Sequence, residues 1–301
     1  MQARIGQLSF RTVVVAWLAS GCGSGLGFGA GDPFPKKLSE LDFENASDTQ
    51  RYEPVWPLWS NGLLKERWVY IPKGEWIDTR KDDWEFPEGS ALFKTFSAES
   101  LPIETRVMHR TRKGWDFATY VWDGDDAALQ GDWDNVEVDW VDGLEHTVPT
   151  NIDCRTCHEP GGGVIGLRDL QIDSAGARVL SELAEPPPKP AEVEGPDALT
   201  TEILGYFIGN CVHCHDGESG DQHSFDLGPE VALANVIDQP TEANATAPGI
   251  RVVPGDPAAS ILFLAISGEH DDPEIREMPP LGVQMRDMEA IERVRSWIEG
   301  L

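Results

Sequence analysis

Two short stretches, CRTCH at residues 154–158 and CVHCH at residues 211–215, each place two thiols and an imidazole within five positions. Whatever these groups hold constrains the path of the chain on either side of them, and four of the five cysteines are committed to them. Two thiols separated by two residues reach the two vinyl groups of one haem, and the adjoining histidine supplies an axial nitrogen to its iron. On that reading Cys154, Cys157, Cys211 and Cys214 attach two covalently bound haem c groups, and His158 and His215 are the iron ligands that follow them. A four-thiolate zinc site would leave both histidines unexplained and would straddle a long, proline-rich interval unlike a compact ribbon. A thioredoxin-like dithiol would explain neither the repeat nor the histidines, and no βαβ pattern accompanies it.

Upstream of the first motif the residues favour strands. The runs ERWVYI, ALFKTF, ETRVMHRT, DFATYVW and VEVDWV, between Lys65 and Val148, are rich in β-branched and aromatic side chains and are separated by turn-forming PKGE, PEGS, RKG and DGDD. Nine of the eleven tryptophans fall between Trp56 and Trp140, which predicts an all-β, sandwich- or barrel-like module with an aromatic core. A binding face that includes EPVWPLWSNG at residues 53–62 is the functional alternative to that core role.

Around CRTCH the pattern breaks into a loop, SAGARVLSELA predicts a short helix, and EPPPKPAEVEGP at residues 185–196 is an extended linker. Beyond it, Ile203, Phe207 and Cys211 recur four apart, so a helix delivers the second motif. Ile291, Val294 and Ile298 form a stripe on a last helix with Asp287 as its N-cap. The chain thus divides into an export signal (1–21), a flexible linker (22–39), a Trp-rich β module (40–150), a first haem-binding segment (151–184), a Pro-rich linker (185–196) and a C-terminal helical domain (197–301).

Residues 197–301, running from a helix into CVHCH, through SFDL, VVPGDPAASILFLAI and MPPLG to a final helix ending WIEG, resemble a single-haem c-type cytochrome domain. The resemblance implies an all-α fold there, and it implies His215 and Met278 as the axial pair. Pro279 and Pro280 would stiffen the segment that presents the thioether, with His270 or Met288 as alternatives. Taken over residues 53–301, the arrangement is also similar to a family of bacterial di-haem c-type cytochromes with a tryptophan-rich N-terminal region. The fold class expected is therefore multidomain α+β. For the first haem no MPP follows, and Met108, His109, His146 and His223 stay open as distal candidates.

The start carries Arg4, Arg11 and the apolar run TVVVAWLA, which together predict a short export signal. Cys22 after Gly21 resembles the lipobox of bacterial lipoproteins and would be acylated, although Ala19 stands where leucine is usual and ordinary cleavage nearby is the alternative. The expected location is periplasmic, or the outer membrane facing the periplasm or cell surface, with contact to the bilayer only through that anchor. A net charge of −28, from 52 acids against 24 bases, excludes nucleic acid as a partner class and suits basic redox proteins. These features point to an electron-transfer protein rather than a catalyst. A di-haem peroxidase with an open first haem and a redox-sensing or ligand-binding module are the alternatives.

Overall fold

β-branched and aromatic residues alternate with polar ones from Leu64 to Asp123, and glycines with positive φ at Gly114 and Gly124 let the chain reverse between strands. In the computed structural model this region is one antiparallel sheet. The structure describes residues 26–28, 34–81, 83–131, 136–140, 144–159, 163–217, 225–241, 247–280 and 282–301. The export signal, Cys22 and His223 lie outside the described residues.

The sheet comprises β1 (Thr49–Arg51), β2 (Leu64–Tyr70), β3 (Ala91–Ala98), β4 (Leu101–Thr111), β5 (Gly114–Asp123) and β6 (Asp126–Leu129), paired in that order. A separate hairpin joins β7 (Val136–Trp140) to β8 (Leu144–Val148). This corrects the expected sandwich or barrel: the main sheet is open, and other parts of the chain cover both of its faces. On one face Trp68, Tyr70, Phe93, Val107 and Tyr120 pack under the turn at Leu38–Leu41 and Phe43. On the other, Val69, Ile71 and Leu92 pack against Val164, Leu167, Ile172 and Leu180. The aromatic core needs no second sheet because these irregular segments exclude water as well as a sheet would.

CRTCH does not lie in a loop. It forms α1 (Asn151–His158), whose start is fixed by a reciprocal cap in which Thr150 Oγ1 accepts from Asp153 N and Asp153 Oδ2 accepts from Thr150 N at 2.9 Å. After α2 (Ser174–Leu180), α3 (Ala198–Asn210) starts at Asp197, whose carboxylate accepts from Thr200 N at 2.9 Å. It is followed by α4 (Ala232–Val236), α5 (Ile261–Ser267) and α6 (Met288–Gly300), the last capped by Asp287 as its sequence predicts. Ile203, Leu204 and Phe207 of α3 pack on Ile291, Val294 and Ile298 of α6.

The C-terminal region is nevertheless not an all-α domain. Between α4 and α5 the described residues form isolated β-bridges, joining Ile237 to Val252, Pro240 to Ile250 and Ile250 to Ser260, followed by one 3-10 turn at Pro257–Ala259. Pro240, Gly249 and Pro254 disfavour an α-helix over 237–254, and β-branched Ile250, Val252 and Val253 favour pairing.

Residues 54–62 tie the two halves together. Trp56 lies against Gly205 of α3, Trp59 N donates to Asn210 Oδ1 at 2.7 Å, and Trp59 Nε1 donates to Met285 O at 2.6 Å. Asn61 Oδ1 accepts from Gln284 N and Met285 N at 2.9 and 3.0 Å. Of the tryptophans of EPVWPLWSNG, Trp56 packs on α3 and Trp59 on the segment leading into α6, and both also line a cavity between the sheet and the helices.

Candidate functional site

Strand alternation decides which side chains of the sheet face the helices. Arg67, Lys94, Arg106, Met108 and Phe117 share one face, and that face forms a wall of a cavity of about 650 Å³. The helical half closes the cavity. α1 contributes Cys154, Cys157 and His158, the turn after α3 contributes Cys211, His213, Cys214 and His215, and the segment after α5 contributes Met278. Both thiol pairs and both motif histidines thus open onto one shared space, close enough for the Cys157 and Cys214 thiols to feel each other electrostatically.

The local chain orients several of these groups. His158 Nδ1 lies 2.5 Å from Gly163 O; a carbonyl only accepts, so Nδ1 carries the proton and Nε2 keeps its lone pair. Burial lowers the His158 pKa to about 4, so the ring is neutral at pH 7. His215 packs on Phe225 with ring centroids 4.4 Å apart. Met278 packs against Ala247, Ala265 and Ile275 while its N–H donates to Ala265 O at 2.9 Å. Of the alternatives to Met278, Met288 is 66 % exposed on α6, and His270 is not among the residues lining the cavity.

The distal candidates for the first motif separate cleanly. Met108 faces the cavity. His109, the next residue on β4, faces the opposite side, where it stacks on Phe28 at 4.0 Å. His146 lines the cavity, but its Nε2 lies 2.9 Å from Glu104 Oε1. Sequence reasoning missed His213, the middle residue of CVHCH. It is only 8 % exposed, lines the cavity, and has no hydrogen-bond partner at Nδ1. Burial holds its pKa at about 4.

Also missed were the cations of the sheet wall. Arg67 is Cα partner to Lys94, and Lys94 to Arg106, so three positive side chains lie side by side across β2, β3 and β4. Arg106 bonds the fully buried Glu104, with Nη2 2.5 Å from Oε1. Burial pushes the Glu104 pKa up, but the Arg106 guanidinium and the His146 ring outweigh it and hold the carboxyl below its ordinary value. Burial, with Arg67 and Arg106 alongside, drives the Lys94 pKa well below that of a free amine. Registering the strands from residue parity would have exposed this ladder.

The thiols are chemically quiet. Burial raises the Cys211 pKa to about 12 and the Cys214 pKa to about 11, and it also raises those of Cys154 and Cys157. Such thiols are poor nucleophiles toward peroxide or disulfides. Among the described residues no group of three or more His, Cys, Asp or Glu side chains is arranged to hold a metal ion, which argues against a four-thiolate zinc site. The donor set fits haem better: two thiol pairs, each followed by a histidine, beside a large cavity with an apolar share in its walls.

No family model, no curated protein and no solved structure matches this chain. The resemblance to c-type cytochromes, single-haem or di-haem, is corrected on that ground, together with the mixed architecture of the C-terminal region and the lack of a metal-holding cluster among the described residues. Among the described residues no helix is long and apolar enough to cross a membrane.

Proposed function

We propose that the chain holds two haems covalently, at Cys154 and Cys157 and at Cys211 and Cys214, and passes single electrons between exported redox partners. The observation that carries this reading is the opening of both thiol pairs and both following histidines onto one cavity. Bound there, haem supplies a one-electron couple at its iron. The protein's part is to orient and shield. His158, fixed through Nδ1 by the Gly163 carbonyl, would donate through Nε2 as a neutral ring, and His215 would supply the imidazole nitrogen in the second motif. Met278, held by its backbone bond to Ala265, would offer its thioether to the haem held at Cys211 and Cys214, and a thioether raises the reduction potential relative to a second imidazole. Met108 is the sheet residue best placed to serve the first. The excess of acids would steer a basic partner toward the surface. An N-terminal signal with acylation at Cys22 would deliver the chain to the periplasmic side of a membrane. This reading rests on the chemistry of the motifs and not on kinship with any family.

The test is expression of the full chain in an exporting host that attaches haem to thiols, followed by intact mass and ferric absorption spectra. Two added haem masses, falling to one when both cysteines of a pair are removed, as Cys154→Ala with Cys157→Ala or Cys211→Ala with Cys214→Ala, are expected. A chain that carries no covalent haem refutes the proposal. A high-spin haem that binds cyanide and turns over peroxide would refute the carrier role alone.

A further inference from the structure

The cation ladder is costly as it stands. Like charges directly opposite each other on adjacent strands are destabilising, and burial removes the water that would screen them. Arg67 is only 5 % exposed and Lys94 only partly exposed, and neither forms a hydrogen bond or ion pair with a side chain among the described residues. Lys94 and Arg106 have their cationic carbons or nitrogen over the Phe96 ring, 4.7 and 4.3 Å from its centroid, which partly offsets the cost but brings no negative charge. The neighbouring Lys65 is occupied, donating from Nζ to Leu58 O at 2.6 Å.

Among the described residues no carboxylate is bonded to Arg67 or Lys94, and Glu274 reaches the cavity from the segment after α5. Glu104 is shared between Arg106 and His146, and Asp153, which lines the same cavity, is tied into the cap of α1 by Thr150. Glu53 acts on Arg67 only at a distance. Three basic side chains beside one buried carboxylate leave Arg67 and Lys94 with no bonded anion on this wall of the cavity, on a chain whose net charge is −28. The ladder lies beside the first motif: Arg106 is within electrostatic reach of the Cys154 and Cys157 thiols, and Lys94 within reach of Cys157 and His158.

We infer that Arg67, Lys94 and Arg106 form a dianion anchor, and that its ligand is the pair of propionate carboxylates of the haem attached at Cys154 and Cys157. The inference rests on the haem reading above. Haem carries two such carboxylates, one for each of the two basic side chains that have no bonded anion. Guanidinium and ammonium groups bind carboxylates through charge-assisted hydrogen bonds that are stronger than neutral ones. The anchor would set which way round the ring sits and would keep positive charge near its iron.

The variants are Lys94→Met and Arg67→Met, which remove one cation each and leave Glu104 its partner. In the haem-loaded full chain, losing a cation favours the ferric state, so one of the two midpoint potentials should fall. A tenfold shift of the redox equilibrium corresponds to about 59 mV for a one-electron couple. In the chain produced without haem, each variant should melt at a higher temperature than wild type, because a buried basic group without a bonded anion has been replaced by an apolar one. Wild type should also retain added haem at least tenfold better than its dimethyl ester, and Lys94→Met should lose that preference. If wild type carries two haems and neither variant moves a potential or the acid-over-ester preference, the anchor is refuted while the haem reading stands. If inorganic phosphate or citrate stabilises the haem-free wild type and the potentials are unmoved by the variants, the ladder serves a separate small dianion and the inference fails. If wild type carries no haem, both readings fall together.

Discussion

Replacing Gly205 with alanine should destabilise this protein, although the same change strengthens an isolated helix. A β-carbon built at Gly205 would lie 2.3, 2.4 and 2.5 Å from three carbons of the Trp56 ring. Non-bonded carbons rest at about 3.5–4.0 Å, so ring and helix must separate by roughly 1.2 Å or more. The ring has little room to retreat. Its own backbone N–H donates to Gln171 Oε1 at 3.3 Å, and its carbonyl lies where a β-carbon at Gly209 would come within 2.6 Å. Overpacking of this kind costs about 1–3 kcal/mol, against a gain of about 1 kcal/mol for Gly→Ala in a helix interior. The net expectation is a loss of up to about 2 kcal/mol, read as a melting temperature lower by a few degrees and a lower urea midpoint. In a Trp56→Ala background the clash disappears and the sign should reverse, with Gly205→Ala stabilising by about 1 kcal/mol. A rise in melting temperature for Gly205→Ala with Trp56 intact would refute the close packing on which the junction of the two halves depends.

Two further outcomes follow from buried histidines. His158 and His213 are held to pKa values of about 4 by burial, whereas an unfolded histidine titrates near 6.5. The unfolded chain therefore binds more protons between those pH values, so the haem-free protein should lose stability as pH falls from about 6.5 to 4, by about 1.4 kcal/mol per pH unit for each proton. His213→Gln should remove one proton's share of that slope in urea titrations; an unchanged slope would mean that His213 is not buried as described. His109→Ala should cost about 1 kcal/mol through loss of its stacking on Phe28, with no change in the haem spectrum, because the ring lies on the far face of the sheet. An altered spectrum would place His109 at the cavity.

Much of the local structure was legible because local chemistry decides it. The strand runs, the Asp287 cap and the Ile203–Phe207 face of α3 all depend on patterns within a few residues. What was not legible depends on partners distant in the chain. Met108 and His109 look equally plausible as ligands in a linear sequence, yet their adjacency on one strand guarantees that only one faces the cavity. CRTCH looked like a loop because its glycine-rich flank outweighed the Thr150–Asp153 cap. The tryptophans suggested a second sheet, whereas residues 164–184 cover the first. β1, β6 and β8 were short, weakly patterned strands that pairing alone recruits.

The strand order of the sheet has a consequence for the history of each molecule. Each of β2 to β6 pairs with the strand made just before it, and such local connections form early and fast. Arg67, Lys94 and Arg106 therefore meet while their side of the sheet is still wet, where water reduces their repulsion to a small term. The penalty comes later, when α1 and the turn after α3 close over that face. Strand pairing is indifferent to anions, and closure is the step that feels them. A chain paused between the two has a finished sheet and two thiol pairs still open to the surroundings, which is the interval in which chemistry at those cysteines is least hindered.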